Sequence, residues 1–509
     1  MRPLEARIRA AVAAPATSAD HDIDAALDDV LDGVGLHRSD SGGRITFAGA
    51  DPVVPSPLRL AGAAAIALVA KSVAIAALHR DRGGPGQHIA MDLRVAPHRL
   101  CPFYDRRWEL LDGYPVESPA NRNQALGLSF HRAADDRWVM PLNPYPGLKV
   151  AAQRLLDCAD VPEAVARAVR RRPAAEWEAA GARAGVVLPQ VRTVGEFLAT
   201  DHFASAVADA PLVEIERVGD SGPEPFTGLG RQPLDGVRAL GMGHVIAGAG
   251  TGRALALHGA DVLNVWRPDE FEHDGAYASA NVGVRSCRAD PRAPASRALV
   301  GGLLRDADVF FANRRPGHLE SIGLDVGSAV RERPGIVHAT ISYAGARGPW
   351  ADRVGFDQSA GAVTGMADLE GDGGVPSLSP ILVVNDYIAA WLATLGIVQA
   401  LRLRATQGGS WRVHVSLVRV AAWILGLGLI DPAFARDRAG RPGTAHDYLD
   451  PEVFSATTAL GHYQGVTDQV RMSRTPGHYR EILVARGSCR PQWLPRSYDV
   501  PAAMSAVSS

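Results

Sequence analysis

The sequence predicts an α/β protein: a large domain on a Rossmann-like parallel sheet, with a smaller α/β domain beside it. Three observations lead there. From Leu234, the stretch GVRALGMGHVIAGAGTGRALALHGADVLNVWRP alternates strand, Gly-rich turn, helix and strand, the βαβ pattern of a parallel sheet. Strand-like DVFFAN and GIVHATISY extend it. The chain also carries a partial internal repeat. An Ala-rich helix from Leu58 to about Arg82 stops at Gly83, Gly84, Pro85 and Gly86 and leads into QHIAMDL. A second helix, from about Asn385 to Thr406, stops at Gly408 and Gly409 and leads into WRVHVSL. Between these copies, residues 131–233 have a different texture, with short helices rich in Ala, Arg and Glu, the apolar AGVVLPQV and a loop-rich exit, GDSGPEPFTGLGRQP.

These features divide the 509 residues into five spans. Residues 1–56 form an N-terminal segment with the turn SDSGG and the Pro-rich DPVVPSP. Residues 57–130 hold the first copy of the repeat, 131–233 the small domain and a linker, 234–430 the large domain, and 431–509 a turn-rich return. In the repeat Gly62 falls opposite Asp386, and no Asp or Glu lies between Pro52 and Arg80. Whatever Asp386 does, the first copy cannot do it.

Formal net charge is −2, so no global field draws nucleic acid or an anionic membrane, and the expected partner is a small molecule or another subunit. Cys101, Cys158, Cys287 and Cys489 show no metal-ligand spacing and read as reduced, buried thiols. The start has no long apolar run and carries early acids, which argues against a signal peptide. Leu58 to Leu78 is the one candidate membrane span, but its alanines and Lys71 point to a buried helix. A cytoplasmic location is expected.

Three constellations could carry chemistry. Gly248, Gly250 and Gly252, with Ala254 and Gly259, stand where a dinucleotide fingerprint has its glycines, but as GxGxG. They read equally as a structural turn or as a cradle for a nucleotide-like ligand. Trp266 and Arg267 end the next strand where an NAD enzyme places an acid, so NAD is not expected. The second constellation is a scatter of polar groups at predicted strand ends: His244, Arg267, Arg285, Asn313, Arg314 and Arg315. Guanidinium forks there suit phosphates, although each Arg alone reads as ordinary solvated charge. The third is Asp386, at a predicted helix start. As an N-cap it satisfies orphan amides and keeps its charge, and a carboxylate so held can also act as a nucleophile.

From Leu234 onward the succession LDGVRAL, GMGHVIAG, HGADVLNVWRP, NVGVRS, ADVFFANRRPGHLESIGLD, PGIVHATISYAGARGPW, VGFDQSAGAVTG, NDY and GGSWRVHVSL resembles family III CoA-transferases. That is the group of formyl-CoA and carnitine CoA-transferases, with α-methylacyl-CoA racemase as a relative of the same fold. Residues 57–233 resemble a further, permuted or truncated stretch of the family, most clearly in RPAAEWEAAGARAGVVLPQVRTVGEFL.

The resemblance implies coenzyme A as substrate, with an acyl-CoA and a carboxylic acid as partners, no metal and no NAD. It also implies an interlocked dimer and a single active site. It places Asp386 on the catalytic aspartate, His244 and Ala247 at CoA contacts, Arg267, Arg285 and Arg315 as cations and Asn313 as a polar contact. It departs from the family pattern at Trp266, Val284, Arg314 and Ser321. The implied chemistry is transfer of CoA through covalent aspartyl intermediates. The racemase pattern has a His where this chain reads Gly355, Phe356, Asp357, which favours transfer over racemisation. The alternatives are an acyl-CoA isomerase of the same fold and a CoA-binding paralogue without activity.

Overall fold

The computed structural model describes residues 2–116 and 125–496. Residues 117–124, inside the 57–130 span, and 497–509, at the end of the 431–509 span, lie outside the described residues. Numbered along the chain, the strands that position the site are β1 (Ile45–Ala48), β2 (Ile89–Asp92), β3 (Glu214–Gly219), β4 (Arg238–Met242), β5 (Asp261–Trp266), β6 (Arg285–Arg288), β7 (Val309–Ala312), β8 (Val337–Ser342), β9 (Ser410–Ser416) and β10 (Val470–Met472).

The large sheet has seven strands in the order β6-β5-β4-β7-β8-β9-β3. From β6 to β9 every pairing is parallel. Strands such as β7, VFFA, are buried at every position, as expected of a parallel sheet covered on both faces. The strand order reverses direction at β4, whose neighbours are β5 on one side and β7 on the other. That is the doubly wound pattern, with its crevice beyond the carboxyl ends of β4 and β7. One edge differs from expectation. The 131–233 span was read as small domain and linker, yet its segment Glu214–Gly219 pairs antiparallel with β9 as the outer strand of this sheet. Its residues are half-buried or, at Glu216 and Arg217, exposed, so its sequence lacks the apolar alternation that announces a strand.

The repeat is a repeat of structure. β1 and β2 run parallel and are joined by the helix Leu60–Asp81; β8 and β9 run parallel, and the helix Asp386–Gln407 precedes β9. Each helix has 22 residues, and the two pack against each other. Both are long and apolar enough to cross a membrane by length and composition, and both are buried within the protein. β1 falls in the segment read as turn and loop; four residues between glycine turns give too short a pattern to register.

At the start of the first helix the Asp51 carboxylate accepts from Ala61 N at 3.1 Å and from Gly62 N at 2.7 Å. A Cβ at position 62 would lie 2.9 Å from Asp51 Oδ2. The space that an aspartate would need in this copy is therefore taken by another carboxylate.

The small domain has its own apolar core, drawn from residues 125–188 and including Trp177 and Leu188, under a hairpin of His131–Arg132 and Trp138–Val139. The last segment ties the halves together. β10 pairs with β2, and beyond it Cys489 N donates to Ser286 O at 2.7 Å and Leu494 N to Asp261 Oδ2 at 2.8 Å. Of the cysteines, Cys101 and Cys287 are buried as expected, whereas Cys158 and Cys489 are only half-buried.

Candidate active site

A cleft of about 540 Å³ opens at the carboxyl ends of β4 and β7. Asp386 lines it, with His244 and Asn313 from the two loops that follow those strands and Ala247 from the helix start beyond the first loop. Arg267 and Arg315 stand in the same wall, and residues 145–148 of the small domain, at the start of the helix Pro146–Leu156, close over it within the one chain. The structure thus brings together five of the six predicted CoA-contact residues and the predicted nucleophile.

Asp386 is 6% exposed and is the first residue of its helix, with Asn385 as the cap position. The cap itself is Asp357, from the start of a neighbouring helix. Its Oδ2 accepts from Val384 N at 3.0 Å, Asn385 N at 2.5 Å and Asp386 N at 2.8 Å, while Oδ1 stands 3.1 Å from Val384 N. This corrects the expectation that Asp386 is an N-cap held in its charged form. Burial, and then the Asp357 charge beside it, push the Asp386 carboxyl well above the usual carboxylate range. Burial raises Asp357 too, to about 6, against the pull of the three amides. The amides favour charge on Asp357, so of this buried pair Asp386 is the group that holds the proton longer as pH rises.

The helix carrying Asp386 is fixed from the first copy and from the large domain. The Arg99 guanidinium lies 4.9 Å from the Tyr387 ring and 5.9 Å from Trp391, and Tyr387 Oη is 2.6 Å from Ser279 Oγ.

The opposite wall is a lattice of reciprocal hydrogen bonds. Asn313 Oδ1 accepts from His244 N and Asn313 Nδ2 donates to His244 O, each at 2.8 Å, which locks the two loops together. Val245 sits in the left-handed region at φ 58°, held by the donation of its N–H to Glu272 Oε2 at 2.7 Å. Glu272 also accepts from Tyr145 Oη at 2.5 Å, so the small domain docks on the same carboxylate. Arg314 is paired with Glu270 and donates to Met242 O at 2.8 Å. It is therefore structural.

Among the described residues Arg267 forms an ion pair only with Asp269, at 3.5 Å, and the exposed Arg315 pairs with no carboxylate. Both guanidinium groups can meet a ligand, as can Arg353 in the same cleft, 3.4 Å from Glu178, and Phe271, 43% exposed, offers an aromatic face beside Arg267 and Arg315.

Two expectations are corrected. Gly248, Gly250 and Gly252 do not form a turn: they lie inside the helix Ala247–Leu257. A Cβ at Gly250 would meet Tyr387 and Ala390 at 3.2–3.3 Å, and one at Gly252 would meet Phe311 at 2.9 Å. Those glycines serve close packing of this helix on the Asp386 helix and on the sheet. A Cβ at Gly248 would lie 2.2 Å from Asn313 Oδ1, so that glycine makes room for the His244–Asn313 lock.

Arg285 does not line the cleft. It opens β6, the end of the strand away from the crevice, where it pairs with Asp261 at 2.8 Å and donates to Gln492 O at 2.7 Å. An arginine at a strand start and one at a strand end look alike in sequence.

The amide at the start of the Asp386 helix is engaged by Asp357, and that of Val245 by Glu272. The first turn of Ala247–Leu257, whose N–H groups have no acceptor within the helix, begins in the cleft wall at Ala247. A buried carboxyl facing a cation-lined crevice can attack an acyl group or exchange a proton, and the guanidinium groups of Arg267 and Arg315 can hold phosphate.

The family model described as CoA-transferase family III matches residues 234–463. A probable CoA-transferase of Mycobacterium tuberculosis is 25% identical over 81% of this chain and 60% of its own length. A succinate–glutarate CoA-transferase of Agrobacterium fabrum is 28% identical over 43% of this chain and 60% of its own. This chain thus spans less than two thirds of either relative. A solved CaiB/BaiF family protein from Brucella suis aligns at 25% identity over 45% of this chain and 65% of that one, with a TM-score of 0.35. Residues 234–463, the stretch that the model of CoA-transferase family III matches, carry Asp386 and all the predicted contact residues of the cleft.

Proposed function

We propose that this chain transfers CoA from an acyl-CoA to a free carboxylic acid, with Asp386 carrying the acyl group. The observation that carries the reading is the placing of the buried Asp386 carboxyl in the same crevice as the guanidinium groups of Arg267 and Arg315. In this reading the guanidinium groups bind phosphates of CoA and the thioester reaches Asp386.

The Asp386 carboxylate attacks the thioester carbonyl; the C–S bond breaks, leaving a mixed anhydride and CoA thiolate. The thiolate attacks the Asp386 carbonyl of the anhydride, releasing the first acid and leaving an aspartyl-CoA thioester. The acceptor carboxylate displaces the thiolate from that thioester. The thiolate then takes the acceptor acyl group and frees Asp386. No water and no net proton enter. A donor N–H placed at each oxyanion is worth about 3 to 4 kcal/mol, and in this reading the first-turn amides beginning at Ala247, which lines the cleft, supply it.

Dicarboxylic acids are the first acceptors to test, because relatives are named for succinate and glutarate. The chain acts in the cytoplasm and pairs as a dimer in this reading. The raised Asp386 carboxyl also favours a second reading, proton exchange at the carbon next to the thioester.

Incubation with a panel of acyl-CoAs followed by hydroxylamine and peptide mass spectrometry separates the readings. Hydroxamate at Asp386 that requires acyl-CoA supports transfer. Deuterium uptake into acyl-CoA with no adduct supports the isomerase, and neither event supports a silent CoA-binding paralogue.

A further inference from the structure

A second cavity, of about 360 Å³, lies outside the cleft, between the N-terminal helices Pro3–Ala13 and Ile23–Asp32 and the helix Leu417–Gly426. Its walls are mostly apolar, with Leu4, Val30, Val34, Leu212, Trp423 and Leu427 among them, and its polar lining is the ion pair of Arg7 with Asp29, His21 and Arg419. Its volume falls in the range of small-molecule sites. Among these apolar walls stands Arg419. Its Nε donates to Ala210 O at 2.8 Å, but Nη1 is buried without a hydrogen-bond partner, and no carboxylate pairs with it among the described residues.

Burial, and then Arg7 nearby, lower its basicity to about 10, so it remains charged at neutral pH. A buried, uncompensated guanidinium is costly to the fold unless something pairs with it. The other cation of the pocket, Arg7, is already paired with Asp29. His21, also in the wall, has its Nε2 buried without a partner. Burial, and then Arg59, lower its pKa to about 4, so it is a neutral polar contact.

We propose that this cavity is a second binding site for an organic monocarboxylate with an apolar body, its carboxylate pairing with Arg419 and its body filling the space lined by Val34, Leu212 and Trp423. One unpaired cation among apolar walls suits one carboxylate. A phosphate dianion needs more donors than the pocket offers. Nothing in this inference depends on the reaction at Asp386. The helix that carries Arg419 begins with Leu417, which lines the catalytic cleft, so the two sites share an element.

Calorimetric titration of the full chain with octanoate and with 1-octanol tests it. Octanoate is expected to bind at least about tenfold more tightly than the alcohol, the scale of one charge-assisted hydrogen bond. Arg419→Gln should erase that preference. Ala26→Phe, which fills the cavity without touching Arg419, should abolish binding of octanoate while the melting curve shows a folded protein. Asp386→Asn should leave binding unchanged, which separates this pocket from the cleft. Equal affinity for acid and alcohol, octanoate binding that survives Ala26→Phe, or binding lost in Asp386→Asn would each overturn the proposal.

Discussion

Replacing Asp357 by Asn separates charge from hydrogen bonding at the start of the Asp386 helix. All three amides of Val384, Asn385 and Asp386 reach one oxygen, Oδ2, at 3.0, 2.5 and 2.8 Å, so an Asn carbonyl oriented there keeps every acceptor contact. What is lost is the charge on those bonds, roughly half their strength, and the Asn NH₂ is left facing Val384 N. The expected destabilisation is about 1 to 2 kcal/mol, the scale of a lost helix cap.

The effect on chemistry has the opposite sign. The Asp357 charge is one of the two causes that raise the Asp386 carboxyl, so its removal lowers that pKa and enlarges the ionised fraction of Asp386 at a given pH. Acylation of Asp386, followed by rapid-quench mass spectrometry across pH 5 to 9, should rise with pH in the wild type. In Asp357→Asn the rising limb should move to lower pH, while thermal melts show the modest loss of stability. A limb that stays in place, or moves to higher pH, would refute the coupling between the two carboxyls.

Further outcomes follow from the same geometry. Arg315→Ala should raise the KM for acyl-CoA by about ten- to a hundredfold, the value of one charge-assisted contact, with a smaller change in kcat measured by steady-state kinetics. Arg285→Ala should leave KM unchanged but cost about 3 to 5 kcal/mol in denaturant titrations, because Asp261 loses its buried partner. Glu370, which accepts from Ser56 Oγ at 2.6 Å, is raised by burial to about 7. The stability it contributes is present below its unfolded value and lost as pH rises through about 7. Glu370→Gln should therefore melt increasingly above the wild type as pH goes from 5 to 8.

The sequence made the parallel sheet legible because each βαβ unit writes its own period: the all-apolar VFFA, the glycine that ends a helix, the next strand. It made the repeat legible because two helices of similar composition end at paired glycines. β1 and β3 were not legible, one for its brevity and the other because an edge strand half-buried at most has no apolar face to declare. In the site, His244, Arg267, Asn313 and Arg315 line one cleft, as their residue types and strand-end positions suggested, and so do Asp386 and Ala247, which the family resemblance nominated; Arg285, nominated by the same strand-end reasoning, does not.

Asp357, Glu272 and Tyr145 were missed because each acts across a long sequence separation: a cap supplied from another helix, a carboxylate that receives a small-domain hydroxyl. No local pattern encodes such partners. The glycine run misled for a related reason. A glycine that admits a neighbouring helix and one that admits a phosphate satisfy the same requirement for a missing Cβ, and only the packing of Tyr387 and Phe311 against those positions distinguishes them.

If Asp386 is the acyl carrier, oxygen passes through its side chain and can be followed. In the proposed sequence the acceptor carboxylate leaves one of its oxygens on Asp386 when the thiolate departs with the acceptor acyl group. Turnover with ¹⁸O-labelled succinate and an unlabelled acyl-CoA should therefore place ¹⁸O in the Asp386 side chain, found by peptide mass spectrometry and absent when acyl-CoA is omitted. Continued formation of acceptor-CoA with no label at Asp386 would contradict the account.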